Sequence, residues 1–355
     1  MTLTQTALLT KQVIAVTLVT SILGIFSFIG YKMWYAYYLS TLPPVEEKPD
    51  IKFGILPTPN FPSSSVSSSN YSYSLDTTTG SLPTLGDNGF EKIIKVYFII
   101  KPFATFLSPD RSQALAARFN IKTQPEILTE TRYLFEENKK KLTVDLDNGN
   151  FTYRREATPS GDEKLEDDKT LTSGFENILG NLGVLKPQLT EGRFKIIPLK
   201  VAGNQFIFSE VRTEASLAQI SLWPKAINDK SIFTSDFEKS QINATIIGSS
   251  SDLDNYMQLN FTFWQIDENT FATYPTKSPS DALVDLQSGK GVVILEPDKP
   301  QVSITSVYLG YFLSDNYNQY LHPIYVFEGP KFAGYVSALT PQFIEQARLP
   351  DGQAK

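Results

Sequence analysis

Gln12 to Tyr31, QVIAVTLVTSILGIFSFIGY, contains no acidic or basic residue and is bounded by Lys11 and Lys32. At about 1.5 Å of rise per residue, an uncharged helix of this length covers the roughly 30 Å hydrocarbon core of a bilayer. A helix of a soluble core would keep a polar face, whereas here only scattered Thr and Ser interrupt the run, and these can bond back to their own helix. Tyr31, Trp34, Tyr35, Tyr37 and Tyr38 follow at once, amphipathic rings of the kind that settle at the headgroup level. The pattern predicts a membrane anchor that meets the bilayer through residues 12–39, with Val13, Ile14, Leu18, Leu23, Phe26, Ile29 and Trp34 as its anchoring side chains.

A cleaved secretory signal also starts with a short polar segment and an apolar stretch. Its apolar core is normally ~7–15 residues long and ends at a small-x-small site, while this run is longer and ends in bulky aromatics. An uncut signal anchor fits better and puts everything after about Leu39 on one side of the membrane. Lys11 before the run and Lys32, Lys48 and Lys52 after it nearly balance, so the positive-inside rule does not choose that side. A short N-terminal tail is easily retained and a large C-terminal segment crosses largely regardless of charge, which leans toward an extracytoplasmic C-terminal part of a single-pass cell-membrane protein.

The 355 residues leave room for one to three modules beyond the anchor, and 41% hydrophobic content is ample for a core. A net charge of −6 and a pI near 5.1 argue against nucleic acid as a partner, since that contact needs basic patches. The longest basic run, Lys139-Lys140-Lys141, reads as a solvated turn before a strand. The chain has no cysteine, which excludes disulfides and cysteine-ligated metal.

Residues 1–39 therefore form tail and anchor, and residues 40–70 a linker rich in Pro, Ser and Asn that reads as a spacer. Three helix-plus-sheet modules follow, at 71–158, 170–275 and 276–348, before a tail at 349–355. In the first, strands at Tyr71–Thr78 and Ile93–Ile100 precede a helix started by Ser108-Pro109-Asp110 and ending near Asn120. Leu142, Val144 and Leu146 then alternate with polar residues up to the turn Asp147-Asn148-Gly149-Asn150 and the strand of Phe151 and Tyr153. That turn lacks the register of a calcium loop.

In the second module Phe175, Ile178, Leu179 and Leu182 form one helical stripe, capped by Thr172 or Ser173 and stopped by Gly183 and Pro187. Strands are expected at Phe194–Val201, Gln205–Val211, Leu217–Trp223, Ala244–Ile247 and Met257–Ile266, the last with Met257, Leu259, Phe261 and Phe263 on one face. The third module opens at Ser278-Pro279 with Asp281 in the capping-box position and stops at Gly289. Strands Val302–Leu313, Pro323–Glu328 and Phe332–Ala338 follow, and Thr340-Pro341 suggests a last helix to about Ala347. The fold class is α+β: an N-terminal transmembrane helix, then tandem modules of a helix packed on antiparallel β-sheet.

The inventory for catalysis is thin. One histidine, His322, cannot build a multi-histidine metal site, and its place before Pro323 at a strand start reads as a partly exposed edge residue. No nucleophile elbow or phosphate loop is present, and Gly289-Lys290-Gly291 closes a helix instead of opening one. The carboxylate pairs Asp252/Asp254 and Asp267/Glu268 fall in turns. No cofactor, no metal and no enzymatic activity are expected. A carboxylate-based envelope hydrolase and a structural scaffold of the envelope are the alternatives.

Several stretches carry a family resemblance: Thr276-Lys277-Ser278 with Asp281-Ala282-Leu283, the strand Val307-Tyr308-Leu309-Gly310-Tyr311, His322 to Gly329 with Tyr335-Val336, and the hairpin from Asp145 to Phe151. Together they cover about a third of the chain and resemble the extracytoplasmic regulatory proteins of the YycH/YycI kind, related to PepSY-type domains and found with bacterial sensor histidine kinases. The resemblance implies a single N-terminal anchor, an outward ectodomain and control of an envelope partner by protein contact. It implies no substrate and leaves open whether the chain self-associates. The expected contact surface is the polar loop Ser314 to Tyr320 between two strands, with Tyr311, Tyr317, Tyr320 and His322, because tyrosine gives a large contact area for little lost rotamer entropy. Rim packing of Tyr317 and Tyr320 against the sheet is the competing expectation.

Overall fold

The computed structural model describes residues 3–41, 48–87, 89–203 and 205–345. The chain divides into two compact units, Met1–Lys48 and Pro49–Lys355. The first is the helix α1 (Leu3–Thr41). Within it Val16–Tyr38 is long and apolar enough to cross a membrane, and none of that stretch is covered by protein. Ile14, Leu18, Leu23, Phe26, Ile29 and Trp34 are all exposed, and the side chain of Val13 lies outside the described residues. Thr20 donates its hydroxyl to the carbonyl of Val16 at 2.9 Å, which satisfies a polar group that hydrocarbon could not. The helix continues through the aromatic cluster, where Tyr31 stacks on Tyr35 and Trp34 on Tyr38 at the four-residue spacing that brings side chains together on one face.

The second unit runs in the order β1 (Ser72–Leu75), β2 (Ile93–Ile99), α2 (Ser108–Arg118), β3 (Glu126–Thr129), β4 (Arg132–Glu137), β5 (Lys140–Asp145), β6 (Phe151–Arg155) and α3 (Asp168–Asn181). A short α4 (Pro187–Thr190) leads to β7 (Arg193–Ala202), β8 (Gln205–Phe208), β9 (Leu217–Trp223), β10 (Ile232–Phe233), β11 (Ile242–Ile247), β12 (Tyr256–Phe261) and β13 (Ile266–Pro275). The chain ends with α5 (Pro279–Gln287), β14 (Val292–Leu295), β15 (Gln301–Ile304), β16 (Ser306–Phe312), β17 (Tyr320–Gly329) and β18 (Phe332–Ser337).

Two large sheets organise these elements. A nine-stranded sheet has the order β3-β4-β5-β6-β12-β11-β9-β7-β8, with every neighbour antiparallel. Its strands alternate apolar and polar residues, so one face packs Leu142, Tyr153, Leu259, Ala244 and Ile220 into a core with Leu115 and Phe119 at α2 and Phe175 and Leu179 of α3. The other face is polar. A seven-stranded sheet has the order β10-β16-β17-β18-β14, with β2 joined to the start of β17 and β13 joined to β2. Ala282 and Leu286 of α5 and the parallel pair β1–β15 contribute to its larger core.

The α+β class is as expected, but strand pairing crosses the expected module boundaries. β6 of the first module pairs with β12 of the second, and β2 of the first pairs with β13 of the second and β17 of the third. Alternation in sequence fixes which face of a strand is buried and leaves its neighbour unspecified. The linker reading fails in the same way for the described residues of 48–70. Leu56 is fully buried, its N–H donates to the Phe343 carbonyl at 2.8 Å, and Ser68 is buried against Gly291.

Smaller differences have local causes. The expected strand Met257–Ile266 stops at Phe261, and the missed β13 begins at Ile266. An irregularity in the pairing of β11 with β12 sets Tyr256 in the core, while Met257 is half-buried. Val302–Leu313 is two strands, β15 and β16. α3 starts a turn earlier than expected because Asp167, not Thr172 or Ser173, caps it by accepting from the N–H groups of Lys169 and Thr170. Beyond Thr340 a single 3-10 turn, Pro341–Phe343, replaces the expected helix, whose end at Ala347 lies outside the described residues.

Candidate functional site

The other face of the nine-stranded sheet, open at β4, β5 and β6, carries two transverse rows of mostly polar side chains. One runs Glu136, Lys141, Arg154, Gln258, Thr245 and Gln219, each directly opposite the next. The neighbouring row runs Leu134, Thr143, Thr152, Asn260, Asn243 and Ser221, apolar at Leu134 and buried at Asn243 and Ser221. Both are the polar half of the period-2 pattern whose apolar half fills the core beneath.

At the β4–β5–β6 end this face forms a groove of about 610 Å³. Arg132, Lys141 and Arg154 line it together with the hydroxyls of Thr143 and Thr152. Trp264, from the connection between β12 and β13, and Asp315, Asn316 and Tyr317, from the loop between β16 and β17, also line it. The loop that belongs to one sheet thus walls a groove on the other. A second hollow of about 570 Å³ continues along the strands, shares Lys141 and Arg154, and adds Lys139, Arg155 and Phe206.

The electrostatics of this track differ from those of the acidic chain as a whole. Five basic residues line the two hollows against Asp145, Glu156 and Asp315. Lys141 meets Glu136 at 3.2 Å with its side chain half exposed, and Arg155 donates to the Tyr256 carbonyl. Among the described residues Arg132 and Arg154 have no ion-pair or hydrogen-bond partner. Trp264 is 6% exposed and its indole N–H also lacks an acceptor. Its ring packs edge-on against Tyr317, at 5.7 Å between centroids.

Of the four expected contact residues, the structure brings only Tyr317 to this groove. Its hydroxyl donates to the Ile99 carbonyl at 3.1 Å, and partial burial raises its pKa. Tyr320 packs on Phe53 and Phe98, so for this ring the rim-packing expectation describes what is seen. Tyr311 is fully buried, donates to the Lys95 carbonyl at 3.0 Å, and is pushed far above the ordinary tyrosine range by burial. Neither an exposed edge nor a contact residue describes His322. It is 1% exposed, neither ring nitrogen has a partner, and burial lowers its pKa to about 4. The reason is that β17 starts at Tyr320 and lies between β16 and β18, so Pro323 sits inside a central strand, its carbonyl accepting from Ala338.

Sequence reasoning missed Arg132, Lys141, Arg154 and Trp264 as a group. The hairpin signal was Asn138-Lys139, both at positive φ, the conformation of a two-residue turn usually written with glycine. That turn makes Lys139 a presented cation and places Lys140 and Lys141 in β5, so the basic run is more than a solvated turn. The carboxylate pairs have structural roles. Asp254 is held below its ordinary value first by the hydrogen bond from Lys140, at 2.8 Å. Asp252 accepts from the N–H of Asp254, and Asp267 is lowered by Thr270 and the Asn269 N–H. Among the described residues no three His, Cys, Asp or Glu side chains gather to hold a metal.

Compared with known proteins, the chain matches no family model. It matches no curated protein either. Among solved structures it is similar to an uncharacterized protein from Eubacterium rectale ATCC 33656, at 13% identity and a TM-score of 0.42, over 71% of this chain and 86% of that one.

Proposed function

We propose that this chain is a single-pass, membrane-anchored binding and regulatory protein of the cell envelope, with Pro49–Lys355 outside the cytoplasm and the groove of the nine-stranded sheet as the surface that meets a protein partner. The observation that carries the reading is the groove itself: two guanidinium groups without partners beside an aromatic wall, on an otherwise acidic molecule. Arginine, tryptophan and tyrosine are the side chains enriched where proteins make their strongest contacts. The helix Val16–Tyr38 supports attachment to a bilayer. The resemblance to YycH/YycI-type proteins names a sensor histidine kinase as the partner to try first.

Two experiments test this. Reporter fusions at residue 40 and at the C-terminus fix the side of the membrane, and cytoplasmic activity of the C-terminal reporter overturns the topology. Co-purification of the full chain with the kinase from intact membranes, wild type against Arg132→Glu/Arg154→Glu, tests the surface. Loss of the kinase from the variant at unchanged melting temperature supports it, and undiminished recovery overturns it.

A further inference from the structure

Two cations of the track are held in register on the sheet. Along β5, Arg132 stands at the level of Asp145 and Arg154 at the level of Lys141, while Lys139 lies in the hairpin turn beyond, at positive φ. Levels 145 and 141 are an even number of residues apart. In an extended chain, residues an even number apart point to the same side, and at about 3.3 Å per residue four positions span about 13 Å. An extended peptide lying along the strands would therefore present acidic side chains at i and i+4 to Arg132 and to Arg154 and Lys141 at once.

Both ends of the track are apolar. Tyr317, backed by the buried Trp264, stands at the Arg132 end, the half-buried Leu134 lies between the two levels, and Phe206 and Met257 stand at the Lys139 end. A polyanion made only of charged, hydroxylated repeats leaves these surfaces unused, whereas a peptide with apolar residues flanking its acidic stretch covers them. The track also runs over the face of the sheet and meets an edge strand at the Phe206 ring of β8, so recognition rests on side chains. Lys141 and Arg154 are directly opposed like charges, and since Glu136 meets only Lys141, Arg154 is left for a negative group of the occupant.

Resting on the groove as contact surface, we infer that its occupant is an extended acidic segment of a protein partner, with carboxylates at i and i+4 and apolar residues on either side. The test uses the full chain in nonionic detergent micelles, titrated with a fluorescent peptide of that pattern, a same-composition peptide with the acids at odd spacings, and poly(glycerol phosphate). The patterned peptide is expected to bind at least tenfold tighter than the permuted one, to weaken as salt rises, and to lose at least tenfold affinity for Arg132→Ala/Arg154→Ala with no fall in melting temperature. Equal binding of the permuted peptide overturns the spacing, and tighter binding of poly(glycerol phosphate) overturns a protein segment as the occupant. If no probe binds while the membrane co-purification remains sensitive to Arg132→Glu/Arg154→Glu, the acidic segment is wrong and the contact surface stands. If neither responds, both fall.

Discussion

Lys141 and Arg154 lie directly opposite one another on β5 and β6, two cations side by side on a solvent-facing sheet surface. Lys141 has Glu136 on its other side, and Arg154 has no partner among the described residues. Like charges opposed across strands cost a few tenths to about 1 kcal/mol, so the pair is tolerated at the expense of stability.

Removing Arg154 should therefore stabilise the fold while it weakens binding. Arg154→Thr places a β-branched residue in the strand and is expected to raise the unfolding free energy by up to about 0.5 kcal/mol. Urea unfolding of the full chain in micelles measures this. A loss of 1 kcal/mol or more would show that Arg154 holds the sheet together, and that its place on this face is structural.

His322 makes stability depend on pH. Its folded pKa of about 4 lies below the ordinary 6.5 because burial disfavours the charged ring. The unfolded chain binds the proton more readily, so the contribution is intact above about pH 6.5, falls as pH drops through the window from 6.5 to 4, and levels off below. At about 1.4 kcal/mol per pKa unit the loss is on the order of 3 kcal/mol. His322→Leu removes two unsatisfied nitrogens as well as the proton site. Its unfolding free energy is expected to equal or exceed the wild type at pH 7 and to show a flatter dependence between pH 6.5 and 4. A slope identical to wild type would assign that window to other groups.

Among the described residues the ion pair of Lys277 and Asp285 is the most buried, with side chains 8% and 14% exposed and 2.6 Å between charged atoms. Burial lowers the pKa of Lys277. Burial alone would raise that of Asp285, but Lys277, with help from Lys290, outweighs it and holds the carboxylate below its ordinary range. Asp285→Ala strands Lys277 in the interior and should cost about 3–5 kcal/mol, while Lys277→Met/Asp285→Leu together should recover most of that loss. Equal destabilisation in the single and double variants would refute the stranded-charge account.

The hairpin faces were legible in the sequence because alternation reports burial: Leu142 and Val144 against Lys141 and Thr143, and Phe151 and Tyr153 across the turn. The cap of α5 was legible because Ser278 accepts from the Asp281 N–H three residues on, a contact local enough to be written in four letters. The groove was not, since it depends on β6 pairing with β12 a hundred residues later and on the Ser314–Tyr320 loop arriving from the other sheet. Residues 48–70 misled for the opposite reason. Their composition is that of a spacer, and single residues such as Leu56 and Ser68 tie them down.

Leu56 offers a direct check of that correction. It is fully buried and bridged to Ile344, so Leu56→Ala should cost about 2–5 kcal/mol, as for other buried leucines. A free spacer would register no change in urea unfolding.

The open face of the nine-stranded sheet is where this protein is expected to be touched. The most direct measurement is photo-crosslinking in intact membranes from an unnatural side chain at Thr143, in the middle of the groove, compared with Asn177, exposed on α3 against the opposite face. Adducts from position 143 that are absent from position 177 and that vanish with Arg132→Glu/Arg154→Glu are the predicted result. Adducts from position 177 alone, or adducts from 143 indifferent to the charge reversal, would contradict it.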